Sequence, residues 1–332
     1  MAEVTGSMIK VSVVVPIYNT EKYLSRCLDA LVDQTLEEIE IIAVNDGSTD
    51  GSLSVLKQYE TIYPKKIKVC STKNKGQGAA RNLGMQKSSG EYIGFADSDD
   101  FIDKTMFEKM YRLAKERSCD MVECCFHYQL EKAGKVKELS PRGNVREYQT
   151  QKDMFIDPQV SPWNKIFRRE VIHDPGINFP EGMIYEDTAF YLKVIPNIKT
   201  SAYLDEPLVF YFLHAGSTIN ANRSRKVSDI FAVLQDVLVF YKERGLAQTY
   251  WTELEYCCVK ILLCSSLSRI GRIPDRTLKS RLLDRTFEFI HETFPNYRRN
   301  PYIKGKIGIY IKIVNRKNGK WIGQALGRIL KG

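Results

Sequence analysis

Asp97-Ser98-Asp99-Asp100 sets three carboxylates within four residues. In an extended segment alternate side chains share a side, so Asp97 and Asp99 point together. Like charges that close need a counter-charge, and a hard divalent cation with oxygen ligands supplies one. The competing use is a cap for a helix expected from about residue 103, although three clustered acids exceed what a cap requires. The spacing is not that of an EF-hand loop, because Phe101 stands at the fifth position, where an oxygen ligand belongs.

Three other clusters suit the same chemistry. The loop 73–81 (KNKGQGAAR) is basic, carries glycine and leads into a helix. Backbone N–H groups at a helix start, with Lys75 and Arg81 beside them, suit a phosphate. It is no dinucleotide fingerprint: Gly76-x-Gly78-x-x-Arg81 lacks the third glycine and follows the third strand, not the first. Glu186-Asp187 opens a short amphipathic helix, where acids suit the helix dipole. A carboxylate opposite a metal–phosphate site is also what a general base for a hydroxyl nucleophile would be. Asn45–Gly51 suits a turn and helix cap as well as a binding loop.

The elements that position these residues alternate. Strands are expected at 10–15, 39–44, 67–70 and 91–96, with a helix capped by Thr20 and further helices from about 51 to 63 and at 77–88. Such alternation marks an α/β domain with a largely parallel sheet. Tyr18-Asn19, Asp46 and Asp97–Asp100 follow the first, second and fourth strands, and ligands of open α/β sheets sit at the carboxyl ends of strands. Beyond 120 the pattern loosens. Strands are expected at 121–129, 161–167 and 207–213, a polar loop at 131–146 and a short helix at 185–195. From about 223 the pattern is helical (227–241, 249–270, 277–294), which places a domain boundary near 220.

Composition bounds the function class. The chain has 332 residues, enough for about two domains. It carries 49 Lys+Arg against 40 Asp+Glu, but residues 296–332 hold ten of the basic residues and no acid. The body is therefore neutral and the tail basic, which argues against a nucleic-acid binder. The eight cysteines form no Cys-x-x-Cys pair, and the pairs Cys124-Cys125 and Cys257-Cys258 read as buried thiols of a reducing compartment. With no secretory leader in residues 1–7 and no apolar run long enough to span a bilayer, a cytoplasmic protein is expected.

Pro16-Ile17-Tyr18-Asn19, Asn45-Asp46-Gly47-Ser48, Gly78-x-x-Arg81-Asn82, Asp97-Ser98-Asp99-Asp100 and Glu186-Asp187, in this order, resemble the motifs of family 2 glycosyltransferases with the GT-A fold. Trp163-Asn164-Lys165 is similar to a recurring segment of bacterial members. The resemblance covers about residues 8–220. It implies a GT-A catalytic domain over 8–220, followed by a helical domain over 221–332. It implies inverting transfer of a sugar from a nucleotide donor, most often UDP-linked, to a hydroxyl of a glycan or lipid-linked acceptor, with Mn²⁺ or Mg²⁺. Pro16, Tyr18, Asn19, Asp46, Lys75, Gly78, Arg81, Asp97 and Ser98 would line the nucleotide-sugar site. Tyr18 would lie against the uracil and Asp46 would bond the base. Asp99 would hold the metal, joined by His214 in a loop where many members carry arginines. Asp187 would be the base, with Trp163, Asn164, Lys165 and Glu186 on the acceptor side. A non-catalytic scaffold of the same fold and a sugar-phosphate nucleotidyltransferase stay open. The latter would need a glycine-rich loop after the first strand, and residues 16–20 contain no glycine.

The basic tail shows two apolar stripes, Ile303/Ile307/Tyr310/Ile311/Val314 and Trp321/Ile322/Ala325/Leu326/Ile329/Leu330, each flanked by lysine and arginine. Such helices suit the anionic face of a membrane, and equally suit docking on the chain's own helical domain or on another subunit.

Overall fold

The computed structural model describes residues 8–132, 135–139, 147–213 and 225–329. Two compact units emerge. Among the described residues, those before 150, with 159–182 and 186–213, form the first; 150–158, 183–185 and those from 225 onward form the second.

The first unit begins with an alternating run: β1 (Val11–Ile17), α1 (Glu21–Val32), β2 (Ile39–Asp46), α2 (Ser52–Ile62), β3 (Ile67–Thr72), α3 (Gln77–Lys87) and β4 (Tyr92–Phe95). β1 and β2 are buried along their whole length. Strands covered on both faces read as unbroken β-branched runs, which is why these were legible. The short β5 (Phe101–Ile102) and α4 (Met106–Glu116) follow, then β6 (Met121–Lys132), β7 (Lys135–Leu139), β8 (Lys165–Arg168), the single turn α5 (Glu170–His173), α6 (Glu186–Val194) and β9 (Ser201–Leu213). The sheet order is β3-β2-β1-β4-β8-β6-β9-β5, with β7 hydrogen-bonded to β6. β1 to β4 run parallel, whereas β8 is antiparallel to both β4 and β6, and β6 and β9 are parallel. The chain reverses its direction of winding between β1 and β4, which opens a crevice at their carboxyl ends.

Three expectations change. The segment 131–146 was expected as a loop, but β6 continues to Lys132 and pairs with β7 through backbone bonds that need no apolar pattern. Of the strand expected at 161–167 only the end forms: a 3₁₀ turn, Pro162–Asn164, comes first, because Pro162 lacks an N–H for the ladder, and β8 starts at Lys165. Thr20 precedes α1, yet its hydroxyl makes no cap bond and instead donates to Ser98 Oγ at 3.0 Å.

The second unit is helical: α7 (Asp229–Glu243), α8 (Ala247–Lys260), a π-helical segment Ile261–Ser266, α9 (Leu267–Gly271), α10 (Arg276–Thr293), α11 (Gly305–Ile313) and α12 (Gly319–Ile329). Asp275 caps α10, accepting from the N–H groups of Thr277 and Leu278. All eight cysteines are free, and both adjacent pairs are buried.

Candidate active site

The site is organised around one buried cation. Arg81, on α3, donates from Nη2 to Asp97 Oδ1 and from Nη1 to Glu186 Oε1, each at 2.8 Å. Its guanidinium lies 5.3 Å from the Phe179 ring, which stacks on Phe190 of α6 at 4.0 Å and 5°. Asp97 follows β4 and Glu186 opens α6, so one side chain ties three elements together at the edge of the crevice. Asp97 Oδ1 also accepts from Gln77 Nε2 at 3.1 Å.

The packing around α3 explains two residues of the motif that carries Arg81. A Cβ on Gly78 would stand 2.2 Å from the Pro180 carbonyl oxygen, so only glycine lets this segment lie on α3. Asn82 then fastens it, donating to the Phe179 carbonyl at 2.9 Å and accepting from the Phe179 N–H at 2.8 Å.

The acid cluster is not a helix cap. Asp100 Oδ1 accepts from the N–H of Phe212 on β9 at 2.7 Å, and its buried Oδ2 has no hydrogen-bond partner among the described residues. Capping of α4 falls to its own neighbourhood, where Asp103 accepts from the Thr105 N–H. The Asp99 carbonyl accepts from Arg26 Nη2 at 2.8 Å, and that guanidinium is sandwiched between Phe101 and Phe212 at 4.6 and 4.4 Å. Arg26 was missed from sequence, where it reads as one polar residue on an amphipathic helix. Gln77 was missed likewise, as an ordinary first-turn residue.

Charge is in excess here. Burial, then the proximity of Asp99, hold the Asp97 carboxyl above its ordinary range despite the Arg81 pair. Burial, Asp99 and Asp97 push Asp100 well above it. Burial raises Glu186 to about 7, because desolvation and the neighbouring Asp187 outweigh the attraction of Arg81. Burial alone would lower the Arg81 pKa, but Asp97, Glu186 and Asp187 together raise it. Asp187 itself is half-buried, its Oδ1 accepting from the Thr188 N–H at 2.7 Å. Ahead of it the backbone passes through the left-handed region at Tyr185, with φ 69°. This surplus of hard oxygen donors fits a divalent metal better than a softer or anionic group. No three His, Cys, Asp or Glu side chains among the described residues already form a complete ligand set.

The remaining expected residues fall into two groups. Tyr18 is exposed at the end of β1, and Pro16 is buried within that strand. Asn19 Oδ1 accepts from the Thr49 N–H at 2.8 Å and so links the β1 and β2 loops. Asp46 is buried and spends both oxygens on the N–H groups of Lys75 and Gly76, at 2.9 and 2.8 Å. It shapes the loop that exposes the Lys75 side chain. Asn45 and Asp50, by contrast, do make local turn and cap bonds, to Ser48 and Ser52. Ser98 is buried against Thr20.

The second group is Trp163, Asn164 and Lys165, all buried. Trp163 stacks on Tyr211 at 5.3 Å. Lys165 Nζ donates to the carbonyls of Gln159 and Ser161 at 2.6 and 2.9 Å and to Asn164 Oδ1 at 2.9 Å, with Glu123 Oε2 at 3.6 Å. Burial lowers the Lys165 pKa and raises that of Glu123. Glu123 was not singled out from sequence, since it lies in an apolar strand with no motif around it. His214 lies outside the described residues.

Comparison with known proteins follows the same lines. Residues 12–174 match the family model described as "Glycosyl transferase family 2". EpsH of Bacillus subtilis (strain 168) is 32% identical over 255 residues, covering 74% of this chain and 73% of that relative. A poly(ribitol-phosphate) beta-glucosyltransferase of Bacillus spizizenii is 35% identical over 220 residues, covering 62% of this chain and 32% of its own. The crystal structure of S. aureus TarS 1–349 in complex with UDP-GlcNAc superposes with a TM-score of 0.74 at 21% identity, over 96% of this chain and 90% of that one.

Proposed function

Because the chain belongs to glycosyl transferase family 2 and has the GT-A fold followed by a helical region, we propose that it is an inverting enzyme using a UDP-linked sugar. The acceptor is a hydroxyl of a glycan or lipid-linked glycan. That the chain is a glycosyltransferase of bacterial polysaccharide type follows from the family; donor, mechanism and acceptor are our reading.

In this reading Asp187 takes the proton of the acceptor hydroxyl as the oxygen forms a bond to the anomeric carbon. The bond between that carbon and the diphosphate breaks on the opposite face, and the nucleoside diphosphate leaves. Tyr18 lies against the base and Lys75 toward the phosphates. Asp46 acts by shaping the loop that presents Lys75. Asp97, fixed by Arg81 and Gln77, binds the ribose and sugar hydroxyls. Asp99 would hold Mn²⁺ or Mg²⁺, with His214 as a further candidate, and the cation would neutralise charge developing on the leaving diphosphate. Trp163, Asn164 and Lys165 form the buried wall behind the acceptor side, and Glu186 sets the orientation of α6.

One observation carries the reading: Arg81 joins the acid after β4 to the acid that opens α6, which supports Asp187 working beside the donor sugar. The test is donor consumption by the purified chain against a panel of UDP-sugars, with Mn²⁺ and with EDTA. Consumption of one UDP-sugar, arrested by EDTA, is expected. Failure of every UDP-sugar to bind in the presence of metal would overturn the donor assignment.

A further inference from the structure

The two apolar stripes of the tail divide differently in the fold than along the sequence. Ile303, Ile311 and Val314 are buried in the core of the helical unit, and Ile307 and Tyr310 pack against it. Tyr310 anchors α11 there by donating its hydroxyl to the Leu263 carbonyl at 2.6 Å. On α12, Ile322 faces the same core, and a Cβ on Gly271 of α9 would stand 1.9 Å from the Gly323 carbonyl oxygen. Both helices are therefore seated on their own unit. What they leave outside is a different set: Ile309 at 62%, Ile313 at 57% and Trp321 at 73% exposure. Ile309 and Ile313, four residues apart on α11, share one face.

The cations of this segment are exposed as well, and Lys306 and Lys312, each three residues from Ile309, flank it on α11. Lys304, Lys306, Lys312, Arg316, Lys317 and Lys320 are all exposed. Arg316 is held by Asp284 at 2.7 Å, whereas the five lysines form no ion pair among the described residues. No acid occurs anywhere from 296 to 332. Between the helices, Asn318 donates to the Ile313 carbonyl and accepts from the Asn315 N–H, so the turn is fixed.

We propose that the outer faces of α11 and α12 form a docking surface for an anionic lipid bilayer. Lysines would lie at the headgroups, with Ile309, Ile313 and Trp321 inserted at the acyl boundary. Charge complementarity selects this occupant. A second copy meeting the same patch across a two-fold axis would oppose lysine to lysine. A soluble polyanion would satisfy the lysines but give the two isoleucines nothing apolar to enter. No helix among the described residues is long and apolar enough to cross a membrane, so attachment would be at the surface. The proposal is independent of the donor and base assignments.

The test is co-sedimentation of the full chain with phosphatidylcholine vesicles with and without phosphatidylglycerol. Binding only to the anionic vesicles is expected. Each lysine near such a surface contributes about fivefold, so Lys306→Gln/Lys312→Gln/Lys320→Gln together should weaken binding on the order of a hundredfold. Trp321→Ala and Ile309→Ser/Ile313→Ser should each weaken it about tenfold or more through lost apolar burial. All replaced side chains are exposed, and circular dichroism with donor turnover off the membrane should match the parent. Equal binding to both vesicle types would overturn the proposal. So would unchanged binding after the triple lysine change. Retention on heparin that survives Trp321→Ala, with vesicles ignored, would assign the surface to a soluble polyanion and refute the lipid.

Discussion

Arg81→Met removes the one cation that Asp97 and Glu186 share. At 2.8 Å each contact is worth about 6 kcal/mol of gross attraction at an effective dielectric of 20. Most of that offsets the desolvation of three buried groups. The net cost of deleting one partner of such a buried set is about 3–5 kcal/mol, because the remaining carboxylates stay buried and unpaired. The loss should depend on pH. Without Arg81 the folded-state pKa values of Asp97 and Glu186, already raised by burial, climb further. Acids raised in the folded state favour folding at low pH and lose that contribution as pH rises through the folded value. The deficit should therefore be larger at pH 8 than at pH 5, where the Glu186 carboxyl, raised to about 7 even with Arg81 present, carries its proton. Urea unfolding of parent and variant at pH 5 and pH 8 measures both numbers. A variant within about 1 kcal/mol of the parent at pH 8, or a deficit that grows on acidification, would refute this view of the cluster.

The same logic extends to neighbouring groups. Lys165→Met should destabilise by about 3–5 kcal/mol by stranding the Glu123 carboxylate, and adding Glu123→Gln should recover more than half, read by urea unfolding of the single and double variants. Glu186, raised to about 7 from an ordinary 4.5, contributes stability below the lower value that is lost as pH rises through the upper one. Glu186→Gln should therefore flatten the drop in stability between pH 4.5 and 8 by up to about 3 kcal/mol, and parallel pH curves for the two proteins would contradict it. Gly78→Ala must move the Pro180 carbonyl, so a loss of at least about 2 kcal/mol is expected in thermal or urea unfolding.

The legible part of the molecule was that in which local sequence and tertiary role agree. β1 and β2 are β-branched runs and β4 (YIGF) a short apolar one, all buried, and each leads into the polar residues that the crevice uses. The acids at 97–100 could be separated from a helix cap by their number, and the structure gives them partners on α3 and β9 in place of the α4 N-terminus. What sequence did not reveal depends on partners far along the chain. Asp100 bonds the Phe212 N–H across 112 residues, and Arg26 is recognisable only once Phe101 and Phe212 close over it. Asp46 also shapes the loop at Lys75 and Gly76, each of its oxygens accepting one backbone N–H there, a role that its turn-like surroundings do not reveal. In the tail, periodicity identified an apolar face on α11 without saying what covers it. Ile311 and Val314 turn to the helical core, and Ile309 and Ile313 do not.

In the proposed reaction Asp187 is the base and Asp99 the metal-side acid of one donor site. The most direct measurement compares UDP-sugar binding by calorimetry with sugar transfer for the parent, Asp187→Asn and Asp99→Ala, with Mn²⁺ present. Asp187→Asn should bind donor within a few-fold of the parent and transfer at least about 100-fold more slowly, whereas Asp99→Ala should lose Mn²⁺-dependent donor binding. Parent-like transfer by Asp187→Asn, or donor binding in Asp99→Ala that responds to Mn²⁺ as the parent does, would contradict these roles.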